Sequence, residues 1–196
     1  MLKERLLAYT DAVIAIIITI MVLELKPPHE ATRHVLYDMR HIFLAYVLSF
    51  MYLTIYRHNH HHMFQPIKKI TSATLRGNSL LLFALSLVPF STAWMAENHF
   101  ASLTVILYGI ILLASAAGYY YVSLTLKASE GPDSAFAKAL NKDRKGKTSL
   151  LLYILGTIAS FRYPMIGLVI FFGVALMWLI PDKRMEKALE LLDTIE

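Results

Sequence analysis

Residues 5–28 read RLLAYTDAVIAIIITIMVLELKPP. Every residue between Asp11 and Glu24 is apolar except Thr19. This run is the centre of a hydrophobic segment over about 6–25, long enough to form a helix that crosses a bilayer core, for which about 20 residues suffice. Charge is costly inside a membrane, so the acids at its two ends, Asp11 and Glu24, are candidates for a functional role. Lys26, Pro27 and Pro28 follow the run with no small-residue cleavage site, which argues against a secretory leader.

The rest of the composition agrees with a membrane frame. The chain is 57% hydrophobic and 17% charged, with a mean hydropathy of +0.52. Its apolar residues come in long runs rather than in alternation, which disfavours a soluble all-α protein. Cysteine is absent, which excludes disulfides and thiolate metal sites. Six hydrophobic segments can be drawn, at about 6–25, 41–57, 78–96, 101–126, 148–161 and 164–180. Arg162, Tyr163 and Pro164 make a tight turn between the last two. Pro89 predicts a kink in the third, where Ser91, Thr92 and neighbouring helices can satisfy freed carbonyls.

The net charge of +5 invites a nucleic-acid reading, but the basic residues follow membrane topology instead. With six spans, fifteen of the 19 lysines and arginines fall in one set of loops. Only Lys26, Arg33, Arg40 and Arg162 fall in the other. The positive-inside rule therefore places both termini in the cytoplasm. The expected organisation is one channel-sized membrane domain, 1–182, with a cytoplasmic amphipathic helix over 183–196. A short helix capped by Asp133 is expected in the loop 127–147. Tyr52, Tyr56, Trp94 and Trp178 fall near span ends, where interfacial aromatics are common.

At about 100° per residue, Ala12, Ile16, Thr19 and Leu23 of the first helix share an arc of about 60°. Several copies around an axis would stack rings of small, branched apolar, hydroxyl and apolar side chains. Apolar rings can gate by dewetting, and a hydroxyl ring can replace part of an ion's water shell. The competing reading is ordinary apolar packing, with Thr19 bonded to its own helix. Asp11 and Glu24 lie about 100° to 120° off that stripe on opposite flanks, while Arg5 falls on it. Arg5 at a cation pore's mouth must be paired or swung aside.

The second span ends in YRHNHHH, residues 56–62. Its end lies at the same membrane face as Asp11, so a cluster of Asp11 with Asn59 or a histidine is expected. The spacing His58-x-x-His61-His62 matches one histidine box of membrane di-iron desaturases. His29, His34, His41 and His99 are scattered and supply no further box, so an enzyme with bound metal is not the reading taken. A proton-coupled secondary transporter using Asp11 and Glu24 is the alternative. Its carriers would sit nearer the membrane midplane, within inverted repeats.

These residues resemble the prokaryotic branch of a lysosomal potassium channel family, transmembrane protein 175. The family signature Arg-x-x-x-Phe-Ser-Asp stands here as Arg5, Tyr9, Thr10 and Asp11, with Tyr for Phe and Thr for Ser. The likeness continues through LELKPP, Asn59, His60, His61 and Phe64, then Pro89-Phe90-Ser91 and the closing LIPDKR. The resemblance implies an all-α homotetramer of six spans per subunit, with first helices lining a central pore. It also implies a passive, potassium-preferring leak channel of the bacterial inner membrane, with no enzyme activity. No cofactor or resident metal is expected, only permeant potassium passing Thr19. Ile16 and Leu23 would form the constriction, Thr19 the selectivity layer, and Ala12 a further pore-lining position. The signature residues, with Asn59, His60 and His61, would hold the first helix against its neighbours.

Overall fold

The computed structural model describes residues 2–28, 30–141 and 143–179. The expected 183–196 helix lies outside them. Among the described residues the regular structure is helical. In chain order the helices are α1 (Leu2–Leu23), α2 (Arg33–Asp38), α3 (Arg40–Phe64), α4 (Ser72–Ser86) and α5 (Val88–Glu97). There follow α6 (Ser102–Glu130), α7 (Ala135–Asn141), α8 (Arg144–Ala159) and α9 (Pro164–Leu179). Each hydrophobic segment of the sequence is helical. Among the described residues three helical stretches are long and apolar enough to cross a membrane: α1, α4 with α5 as one stretch, and α6. The 22 residues of α1 span about 33 Å, close to a hydrocarbon core. α3 is longer, but its two arginines and its histidines make it less apolar. α8 and α9 are 16 residues each.

Helix ends follow local chemistry. Thr71 accepts a hydrogen bond from the Thr74 amide at 3.2 Å and starts α4. Asp143 does the same for Gly146 at 2.9 Å and starts α8. α6 stops at Gly131, whose φ of +92° only glycine adopts without strain. The short helix in the 127–147 loop is capped by Ser134, which accepts from Ala137 at 3.1 Å, and not by Asp133. Ser134 stands immediately before the first helical residue, which is the capping position.

The break between α4 and α5 falls at Leu87, two residues before Pro89. Proline supplies no amide there, so the ladder is interrupted. Ser91 and Thr92 both donate to the Val88 carbonyl, at 3.0 and 2.7 Å. α6 forms the spine, packing on α4, α5, α8 and α9, while α1 lies against α3, α4 and α5. Gly118 lets α6 approach α4 closely, since a Cβ there would sit 3.0 Å from the Leu81 Cα.

The centre of the bundle holds Tyr52, Tyr108, Tyr153 and Phe171. Tyr52 donates to the Phe171 carbonyl at 2.6 Å, and Ser49 joins Thr92 and Tyr108 at 2.6 and 3.0 Å. Tyr52 and Tyr56 are therefore buried core residues, not interfacial ones. A tyrosine that meets a carbonyl inside a bundle satisfies its hydroxyl there and needs no headgroup layer. Among the described residues, every buried side-chain nitrogen and oxygen has a hydrogen-bond partner.

Candidate functional site

The two faces of α1 divide its residues sharply. Leu6, Thr10, Ile14, Ile17 and Met21 are buried against the rest of the chain. Ala12, Ile16, Thr19 and Leu23 lie exposed on the far side, with Ile16 at 57% and Leu23 at 75% exposure. At about 100° per residue the exposed stripe is centred roughly 150° from the buried one. Arg5 and Tyr9 continue the exposed stripe towards the N-terminus. A helix this apolar, with so little of it covered by its own chain, presents a surface that requires lipid or another subunit.

Thr19 donates its hydroxyl proton to the Ile16 carbonyl at 2.8 Å. That bond fixes the side chain and leaves the hydroxyl oxygen's lone pairs facing outward as acceptors. A ring of such oxygens offers a partly dehydrated cation a set of neutral ligands. A threonine bonded to its own helix therefore keeps acceptor capacity for another partner.

Polar bonds hold the buried face of α1 at one end. Asn78 of α4 donates to the Thr10 hydroxyl at 2.9 Å, and its carbonyl oxygen meets His60 Nε2 of α3 at 2.8 Å. All three side chains are about 1–2% exposed. An amide oxygen can only accept, so His60 Nε2 carries the proton in this arrangement. His60 also stacks on Phe64, with ring centroids 4.5 Å apart. Lys3 donates to the carbonyls of Gln65 and Ile67, both at 3.0 Å, at the loop that follows α3.

Asp11 takes Arg57 as its partner, Nε to Oδ1 at 3.0 Å, rather than Asn59 or a histidine. Both side chains remain partly exposed. Arg57 precedes Asn59 by half a turn, and its longer side chain covers the distance to α1. The backbone carbonyl of Asn59 accepts from Tyr119 at 3.2 Å, while His61 faces outward. Glu24 lies on the other flank of α1, at one end of an open groove of about 710 Å³ between α1 and α5. The groove is lined by Val13, Ile16 and Ile20 on one side and Pro89, Phe90 and Trp94 on the other. Among the described residues no group of three or more His, Asp or Glu is arranged to hold a metal.

Asn78, Arg57 and Lys3 were not singled out by the sequence. Asn78 carried a signal, since it is an amide at the margin of an apolar segment and must find a partner when buried. Arg57 and Lys3 read only as loop charges.

A family model described as the endosomal/lysosomal potassium channel TMEM175 matches residues 5–89. That range contains the exposed stripe of α1, Arg57, His60 and Asn78. A potassium channel of Chryseobacterium sp. is 46% identical over 190 residues, which is 97% of this chain and 99% of that protein. A potassium channel of Chamaesiphon minutus is 36% identical over 99 residues, 47% of this chain and 49% of its own. The crystal structure of a lysosomal potassium-selective channel TMEM175 homologue from Chamaesiphon minutus is similar throughout. Its TM-score is 0.79 at 28% identity, covering 91% of this chain and 96% of that one.

Proposed function

This chain belongs to the endosomal/lysosomal potassium channel TMEM175 family, and from that premise we propose that it is a passive potassium channel of the bacterial inner membrane. The family is one of channels and not of enzymes. In this reading four copies surround a pore, each contributes six spans, and both termini are cytoplasmic. Ala12, Ile16, Thr19 and Leu23 line the conduit, with Ile16 and Leu23 as constrictions. Potassium sheds part of its water at the Thr19 layer. A layer of side-chain hydroxyls replaces fewer waters than a cage of carbonyls, so the preference for potassium over sodium is moderate.

The observation that carries this reading is the outward acceptor of Thr19 on an exposed apolar stripe. The open groove beside α1 supports assembly, because an uncovered apolar groove next to the stripe suits a neighbouring subunit. The test is potassium flux from liposomes holding the purified protein, with sodium as the matched ion and valinomycin setting the total. Rapid potassium-preferring release that vanishes with Ile16→Glu is the expected result. A verified tetramer that releases neither ion would overturn the proposal and favour a transporter, which pH-gradient-dependent flux would reveal.

A further inference from the structure

We propose that His41 and His99 form a binding site for one divalent transition-metal cation per chain, away from the α1 stripe. The two imidazole rings lie 4.2 Å apart between centroids and are tilted by 51°. They come from elements distant in sequence, His41 from the first turn of α3 and His99 from the turn joining α5 to α6.

The turn that carries His99 is held in place. His99 and Phe100 both adopt left-handed backbone, with φ of 48° and 62°, which residues with a Cβ seldom do. Their amides bond the Ala96 and Met95 carbonyls at 3.1 and 3.0 Å, and the Phe100 side chain packs on the core. The exposed His99 ring is thus aimed at α3 by a fixed backbone.

His41 sits in the first turn of α3 and is half-buried, so its ring has less freedom than the exposed ring of His99 that meets it. The neighbouring charges are occupied elsewhere. Arg40 stacks over Tyr37 at 4.2 Å and donates to its carbonyl, while His34 pairs with Asp38 at 2.9 Å.

Two imidazoles whose rings touch can share one ion after a rotation of the exposed His99 ring. Imidazole nitrogen selects zinc, copper or nickel over magnesium and calcium, and water fills the remaining positions. The ion would tie the start of α3 to the α5–α6 turn.

The test is calorimetric titration of the tag-free protein in detergent with Ni²⁺ and Zn²⁺, with Mg²⁺ as control. It reads binding alone, so it does not depend on whether the chain conducts. Removing the second-nitrogen partner of a metal-bound histidine costs about 10- to 100-fold in affinity, and losing the ligand itself should cost at least as much. We expect one site per chain in the wild type, weakened more than about tenfold by His41→Gln and by His99→Asn. Asparagine tolerates left-handed backbone, so the second variant preserves the turn. His34→Ala should bind as the wild type does. Unchanged affinity in either His41→Gln or His99→Asn, or a loss with His34→Ala, would overturn the proposal.

Discussion

Asn78 on α4 donates to the hydroxyl of Thr10 on α1 at 2.9 Å, and both side chains are sealed from solvent. The same amide turns its oxygen to His60, so one side chain joins three helices. Asn78→Leu would leave two buried polar groups without a partner. Each such group costs about 1–3 kcal/mol. The variant should melt several degrees lower in detergent, and an unchanged melting temperature would show that the bonds add nothing.

Thr19→Val keeps the shape of the side chain and removes the acceptor oxygen. Reversal potentials under mixed potassium and sodium gradients should move towards no preference, with less effect on conductance. Thr19→Ser should retain the preference. A valine variant as selective as the wild type would remove Thr19 from the ion path.

Ile16 is exposed in the single chain and takes the narrowest position of the proposed conduit. Ile16→Ala should raise single-channel conductance. Identical current in the alanine variant would move the constriction elsewhere, with Leu23 the next position to replace.

Asp11 and Arg57 act as a pair on one flank of α1. Asp11→Ala should shift the assembled protein towards smaller species on a sizing column, and Arg57→Ala should do the same. The double variant should add little to either, since residues in one ion pair are not additive. A normal oligomer in both single variants would confine the pair to the ordinary surface value of about 0–1 kcal/mol.

Gly167 faces Ser160 and the Gly156 carbonyl where α9 turns back on α8, and a Cβ there would lie 2.7 Å from that carbonyl oxygen. Gly173 meets nothing within 4 Å. Gly167→Ala should cost about 1–3 kcal/mol, as overpacking does, while Gly173→Ala should be neutral. Thermal unfolding of the two variants side by side tests the packing of α8 and α9.

Periodicity made the stripe legible before any coordinates, because a helix assigns residues to faces by spacing alone. It could not assign partners across helices. Asp11 was expected to meet Asn59 or a histidine, but the side chain that reaches it is Arg57, two positions earlier. Tyr52 and Tyr56 were read from their distance to a span end. The arrangement of helices around Phe171 decided their burial instead, and that is a tertiary fact. Asn78 was visible only as a polar residue at the edge of a segment, and its two partners come from helices 18 and 68 residues away.

The bonds along α1 are unevenly distributed. Lys3, Thr10 and Asp11 tie its first half to α3, α4 and the loop after α3. Beyond Asp11, among the described residues, Ile14, Ile17 and Met21 hold the helix by apolar contact alone. Apolar contacts have no direction and let surfaces slide, whereas hydrogen bonds fix distance and angle. In mechanical terms α1 is a cantilever, clamped near Thr10 and compliant towards Leu23. A small tilt about the clamp displaces Leu23 most, Thr19 less and Ala12 hardly at all.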